Sequence, residues 1–307
     1  MTTNRPLERP NTSPLVSVGM PVYNGERWMR RAIDSILAQT YRNLELVISD
    51  NTSIDATEKI CRDYAERDSR VRYHRNPENV GLNNNYSLAF RRSAGKYFKW
   101  SSSNDFCAPR LLELCVARLE ANPDIVLCYS KTRIFREDGD AGDPYEDDLG
   151  AEGATPCDRM KQIFARLRLN NAVNGVIRAD VLKHTDLIAD YFSSDNVLIV
   201  DLALHGKLSQ VPEELFYRRI AEGASTALQS DEERLAYFQP AQRRRMLFQT
   251  WKLNWGYFVA ASRAPLALRD RACVYGHMLR RAIWSRRDLA RDIQLATRTA
   301  FGASRRR

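Results

Sequence analysis

Two rhythms of apolar residues alternate along the 307-residue chain. Short β-rich runs read as strands: "LVSVGMPV" (15–22), "LELVISD" (44–50, buried), "VRYHR" (71–75), "KYFKW" (96–100), "IVLCYSKTRIF" (125–135), "NAVNGVI" (171–177) and "KLSQVPEELFYRR" (207–219). Between them the apolar spacing lengthens to three and four. In "ERWMRRAIDSILAQT" (26–40), Trp28, Ala32, Ile36 and Thr40 fall four apart with Ile33 and Leu37 alongside, which is one face of a helix. "DATEKICRDYAERD" (55–68) predicts a second helix with Asp55 as N-cap, Tyr86 to Ser93 a third, and "RLLELCVARLEAN" after Pro109 a fourth. Further helices are expected near 158–168 and at "NVLIVDLALHG" (196–206). Strands alternating with helices at this pace predict an α/β fold, a mostly parallel sheet with right-handed crossovers. The stretch "EDGDAGDPYEDD" (137–148) carries seven acids in twelve residues and reads as a solvated loop in preference to a cation site.

In an open parallel sheet, ligands bind beyond the carboxyl ends of the strands, so the residues just after each strand are the candidates. The first strand ends at Pro21, Val22, Tyr23 and Asn24, the second at Asp50 and Asn51, and the fourth at Ser103, Asn104 and Asp105. No GxGxxG or GxxxxGK[ST] follows the first strand, which argues against a dinucleotide cofactor and a P-loop. It argues equally against a nucleotidyltransferase, which needs a glycine-rich, cationic loop there. Asp50 can accept from a base imide or a ribose hydroxyl, and Tyr23 can stack on a base. The neighbouring Asn83, Asn84 and Asn85 read as caps of the helix that follows them.

These strand tips belong to a larger pattern. "VSVGMPVYNGERWMRRAIDSILAQTYRNLELVISDNTSIDAT" resembles the N-terminal half of a family 2 glycosyltransferase, with Ser17, Pro21, Tyr23, Asn24, Gln39, Thr40, Tyr41, Glu45, Asp50, Asp55 and Thr57 in register. The likeness continues through "NVGLNNNYSLAFRRSAGKYFKW" to "VPEELFYRR", about residues 15–226. It implies a GT-A fold: a Rossmann-like, mostly parallel mixed sheet flanked by helices. The nucleotide half would be 15–105 and the acceptor half 106–226, between a disordered lead (1–14) and a C-terminal helical extension (239–307). The implied activity is hexosyl transfer from a nucleotide-diphosphate sugar to an acceptor hydroxyl, with inversion. A bacterial surface polysaccharide or glycolipid is the expected product.

The resemblance also assigns roles. Pro21, Tyr23, Asp50 and Asn104 would seat the nucleotide. Where such enzymes carry an acidic metal motif, this chain has "SSSND", keeping one acid, Asp105. One carboxylate, an amide oxygen and the donor's own phosphates can still hold Mg²⁺ or Mn²⁺. Asp195, in "YFSSDNVLIVDLALHG", matches the position of the general base, although Ser194-Asp195 before an apolar helix is equally an N-cap pattern. Arg218 and Arg219 can offer charge to a diphosphate. Ala221 stands where many relatives carry a histidine. The lost acids and histidine leave a second reading open, a donor- or glycan-binding module without turnover.

Charge changes the picture only at the C-terminus. The formal net charge is +9, yet residues 239–307 hold sixteen Arg or Lys against three Asp, about +13, leaving about −4 for the rest. Residues 243–293 read as two amphipathic helices separated near Pro265, with Trp251, Trp255, Phe258 and Val259 on one face. Basic helices bearing tryptophan suit an anionic membrane surface, and their apolar stripe argues against nucleic acid. The six cysteines form no CxxC pair and no zinc spacing, so a chain of reduced thiols is expected. With no apolar run long enough to span a bilayer, the expected location is the cytoplasm, at most peripheral to the inner face of the plasma membrane.

Overall fold

A computed structural model describes residues 13–137, 140–220 and 247–304, with side chains placed through residue 297. The expected lead-in falls almost wholly outside these residues, as do Ala221 and the first residues of the tail. One nine-stranded sheet organises the molecule. Its parallel half consists of β3 (Val71–Arg75), β2 (Leu44–Asp50), β1 (Val16–Val22) and β4 (Tyr97–Trp100), in that order. β1 and β2 are buried along their whole length, which is why they read as continuous apolar runs without alternation. The sheet continues through β8 (Val176–Arg178), β6 (Ile125–Phe135), β9 (Lys207–Arg219) and β5 (Phe106–Cys107). β8 is antiparallel to β4 and β6, whereas β6 and β9 run parallel. The sheet is therefore mixed.

Helices α1 (Met29–Leu37), α2 (Thr57–Arg67), α3 (Leu82–Arg91), α4 (Leu111–Ala121), α5 (Pro156–Arg166), α6 (Ala179–Leu182) and α7 (Ser194–His205) flank it. One core lies under α1 and α4; a second gathers Phe98 and Trp100 of β4 with α5 and α7. Gln39 ties α1 to the start of α4, donating to the Ala108 carbonyl and accepting the Leu112 N–H.

Several expectations are corrected. α3 starts at Leu82, so the three asparagines lie inside it; Gly81, at φ 85°, ends the preceding loop in a conformation open to glycine. Asn83 instead donates to the carbonyls of Ala189 and Tyr191, and Asn85 to that of Ser49, which is why both are buried. Ala56 takes the N-cap place of α2, with the Asp55 carboxylate still accepting the Thr57 N–H. The acidic loop is partly structured: β7 (Asp143–Tyr145) pairs with β6. Within it, Asp147 is held inside by Thr132, Asn171 and Gln210. The tail forms three helices, α8 (Gln249–Arg263), α9 (Leu268–Trp284) and α10 (Arg286–Ser304), since a second break falls at Ser285. Among the described residues no helix is long and apolar enough to cross a membrane.

The all-thiol expectation fails at two cysteines. Cys157 of α5 and Cys273 of α9 form a disulfide across 116 residues, a separation no local spacing rule detects. Cys61, Cys107, Cys115 and Cys128 are buried free thiols.

The turn into β4 has no slack. Ser17 donates to the buried Glu45 and accepts the Gly95 N–H, while Glu45 also accepts the Ala94 N–H. A Cβ on Gly95 would lie 2.7 Å from Ser17 N, Ser17 Oγ and Tyr97 O. Gly95→Ala should therefore destabilise the fold by about 1–3 kcal/mol, the usual cost of overpacking. Urea melts read by circular dichroism check this; an unchanged midpoint would show that the turn yields.

Candidate active site

Three loops meet at the carboxyl ends of β1, β2 and β4. The loop after β1 is pinned to the loop after β2: Asn24 N–H donates to Ser53 Oγ, Gly25 N–H to Thr57 Oγ1, and Ile54 N–H to the Asn24 side chain. Asn24 (φ 52°) and Thr52 (φ 65°) hold left-handed backbone, which a β-branched threonine adopts only at a cost on the order of 1–3 kcal/mol. The third loop, 101–105, arrives beside them, with Ser103 close to Gly25.

Asp50 takes a different place from the one expected. It is fully buried, its Oδ1 accepting the Ser53 N–H and its Oδ2 accepting from the Tyr73 hydroxyl and Arg75. Engaged at both oxygens, it braces the loop that leaves β2. Pro21 is likewise buried in β1, whereas Tyr23 is 45% exposed at the rim and able to stack.

Asp105 and Asp195 face one cavity of about 320 Å³, together with Asn104, Asn170, Arg168 and Arg218. Asp105 stands just before β5, at the end of the loop that follows β4. Its Oδ1 accepts the Arg219 N–H at 2.9 Å, so β9 fixes the carboxylate. Burial pushes this carboxyl above the ordinary aspartate range, opposed by that N–H and by the positive charges of Arg218, Lys99 and Arg219. Asn104 accepts from the Ser102 hydroxyl. The donors here are oxygens, one of them a carboxylate at the cavity wall. That set fits a hard divalent cation taking most of its ligands from phosphates and water.

Asp195 sits in the first turn of α7 and does not cap it; the N-cap is Ser193, in left-handed backbone at φ 58°. Asn170 Nδ2 donates to Asp195 Oδ2 at 3.0 Å and to Asn196, and Asn170 Oδ1 accepts the Val173 N–H, so the amide's orientation is set from both ends. Burial raises the Asp195 pKa; the Asn170 hydrogen bond, the Asn196 N–H and Arg218 pull it down. Asp201, read as structural, is paired with Arg263 and His205 away from the cavity.

The two arginines divide. Arg218 lines the cavity and is held at 2.6 Å by Asn171, which the half-buried Asp147 holds in turn. The acidic loop thus orients a cation of the site. The Arg219 guanidinium lies over Trp28 at 4.0 Å, so its backbone contributes more to the site than its charge. Asn170, Arg168 and Asn171 went unnoticed in the sequence. Their only signal is "RLRLNN", a polar cluster between a helix and a strand.

The profile of "Glycosyl transferase family 2" matches residues 17–178, just over half of the chain. The chain belongs to that family. A glycosyltransferase of Haemophilus influenzae is 29% identical over 231 residues, covering 72% of this chain and 70% of that protein. One from Rickettsia prowazekii is 41% identical over 101 residues, which is 33% of this chain and 30% of the rickettsial protein. Among solved structures, Staphylococcus aureus TarS in complex with UDP aligns with a TM-score of 0.60 at 15% identity, covering 87% of this chain and 71% of that one. A mannosyltransferase from Pyrobaculum calidifontis, in complex with GDP-Man and Mn²⁺, aligns at 0.52 and 16% identity, covering 96% and 90%. These likenesses establish the GT-A fold. In this family 2 chain the two cavity-facing aspartates come from the loop after β4 and from the first turn of α7.

Proposed function

We propose that this glycosyltransferase moves a sugar from a nucleotide-diphosphate donor to an acceptor hydroxyl by a single inverting displacement. The donor lies over the strand tips, its base against Tyr23 and its diphosphate near Asp105 and Arg218. The reading is carried by one observation: Asp105 and Asp195, from opposite halves of the fold, line the same cavity. A displacement needs such an arrangement, with the leaving group stabilised on one side and the nucleophile deprotonated on the other.

Asp195 takes the acceptor's proton as its oxygen attacks the anomeric carbon. Its raised pKa makes the carboxylate a better base than an exposed aspartate, and Asn170 holds it in one orientation. Arg218 offers a fixed positive charge, and the Arg219 N–H keeps Asp105 aimed at the cavity. Asp105, with Asn104, would hold Mg²⁺ or Mn²⁺; when bound, the cation stabilises charge developing on the leaving diphosphate. The acceptor is a bacterial surface glycan or a lipid-linked glycan, met in the cytoplasm at the inner face of the membrane.

Calorimetric titration of UDP, GDP and dTDP, each with Mn²⁺ and with EDTA, tests the donor half of this reading. One nucleotide should bind with Mn²⁺ and lose affinity in EDTA. Proton NMR of the glycoside formed from that nucleotide's sugar should show the anomeric configuration reversed. Binding without turnover over any acceptor would favour a binding module, and retention would exclude the single displacement.

A further inference from the structure

We infer that α8 and α9 form a docking surface for an anionic lipid bilayer, placed directly behind the catalytic turn. This goes beyond the proposed glycosyl transfer: bilayer binding stands without it, and only the link to acceptor presentation rests on that reading.

α8 has two faces. Gly256, Tyr257, Ala260 and Ala261 are buried, while Trp251, Trp255 and Phe258, at helical spacing, are exposed. α9 buries Val274 and Met278 and exposes Leu279 (65%) and Ile283 (53%). The two exposed faces are continuous: Trp255 stacks on Phe258, Phe258 contacts Tyr275, and an apolar groove of about 470 Å³ runs between the helices past Met278, Leu279 and Ala282. Large aromatic and aliphatic side chains contiguous on a surface mark an interaction site.

Charge names the occupant. The described tail, 249–304, holds ten Arg or Lys against Asp270, Asp288 and Asp292. Lys252 follows Trp251, Arg271 stands one helical turn before Tyr275, and Arg287 lies in the first turn of α10 just after the break that follows α9, all exposed. Arg280 and Arg286 are exposed as well, and Arg281 lines the groove itself. Of the acids, Asp292 is buried and spent on the start of α8, accepting the Thr250 N–H. A protein partner would meet this apolar patch with apolar groups, but the cationic rim also needs a dense anionic counterpart. Phospholipid headgroups above acyl chains supply both, at roughly 1 kcal/mol per cation near the surface. Tryptophan is suited to that boundary.

The placement links the surface to the site. Gln249 of α8 accepts the Phe192 N–H, and Gly256 packs against the Tyr191 hydroxyl; Tyr191, Phe192 and Asp195 line the catalytic cavity. The helix that meets the bilayer is thus the helix that backs the turn carrying the base, so an acceptor anchored in the membrane would be presented at the cavity.

Co-sedimentation with vesicles of three-quarters phosphatidylcholine and one-quarter phosphatidylglycerol tests the inference, with pure phosphatidylcholine as control. The full chain should bind the anionic vesicles at least about tenfold more tightly, with the binding weakened by salt. Tryptophan emission should shift to the blue on binding. Trp255→Asp with Leu279→Asp should abolish binding, and Arg280→Glu with Arg287→Glu should reduce it about tenfold or more. Circular dichroism, with an unchanged thermal midpoint, verifies that each variant folds. Absence of binding by the folded wild type would overturn the inference. So would equal binding to neutral vesicles, or a dimer on size exclusion that Trp255→Asp disperses, since the patch would then be covered by a second copy.

Discussion

Asp195→Asn should lower kcat by about 10²–10⁴-fold, the span attributed to a positioned general base. The substitution keeps shape and keeps an oxygen to accept from Asn170, so the turn at Ser193 should persist and donor affinity should not move. The pH profile is the sharper readout. Because burial raises the Asp195 pKa, the base is lost to protonation at a higher pH than an ordinary aspartate. In the wild type kcat should fall as pH drops through that value, and in Asp195→Asn this limb should vanish. A variant within a few-fold of wild type, with the limb intact, would reduce Asp195 to a residue of the first helical turn.

Asp105→Asn should produce the second-largest effect, on binding. Loss of groups that merely support a metal ligand typically weakens affinity 10–100-fold, so removing the only carboxylate of "SSSND" should weaken Mn²⁺-dependent donor binding by more than about 100-fold. Asparagine can still accept the Arg219 N–H, so β9 should stay docked and thermal stability should change little. Binding in EDTA should be the same for both proteins. If the variant instead binds the donor as wild type does with Mn²⁺, Asp105 serves only as the acceptor that fastens β9, and Arg218 neutralises the diphosphate.

The centre of the sheet was legible because β1, β2 and β4 are buried along their whole length and so advertise themselves as apolar runs. The boundaries of β2, β3, β6 and β9 coincide with the β-rich runs. Asp105 and Asp195 were singled out through the resemblance, since on the residues alone one is a loop acid and the other equally an N-cap; the fold sets both against one cavity. What stayed hidden is long-range partnership. Asp50 looks like an available acceptor until Tyr73 and Arg75, more than twenty residues later, fill it. Asp147 looks solvated among its acidic neighbours until Thr132 and Gln210 enclose it. Asn170 carries no periodicity and no motif, and only the folded chain sets it against Asp195.

The Cys157–Cys273 cross-link bears on how the molecule comes apart. It closes a covalent ring that runs from α5 through the turn carrying Asp195 and β9 to α9. Fraying from the C-terminus can release α10 and the part of α9 beyond Cys273 but stops there, so α8 and the first residues of α9 stay tied to α5 while the bond is closed. While the bond is intact, a single cut anywhere between the two cysteines leaves one linked molecule, and reductant is needed to part the fragments. Helix α8 and the turn that carries Asp195 therefore lie within one covalent ring.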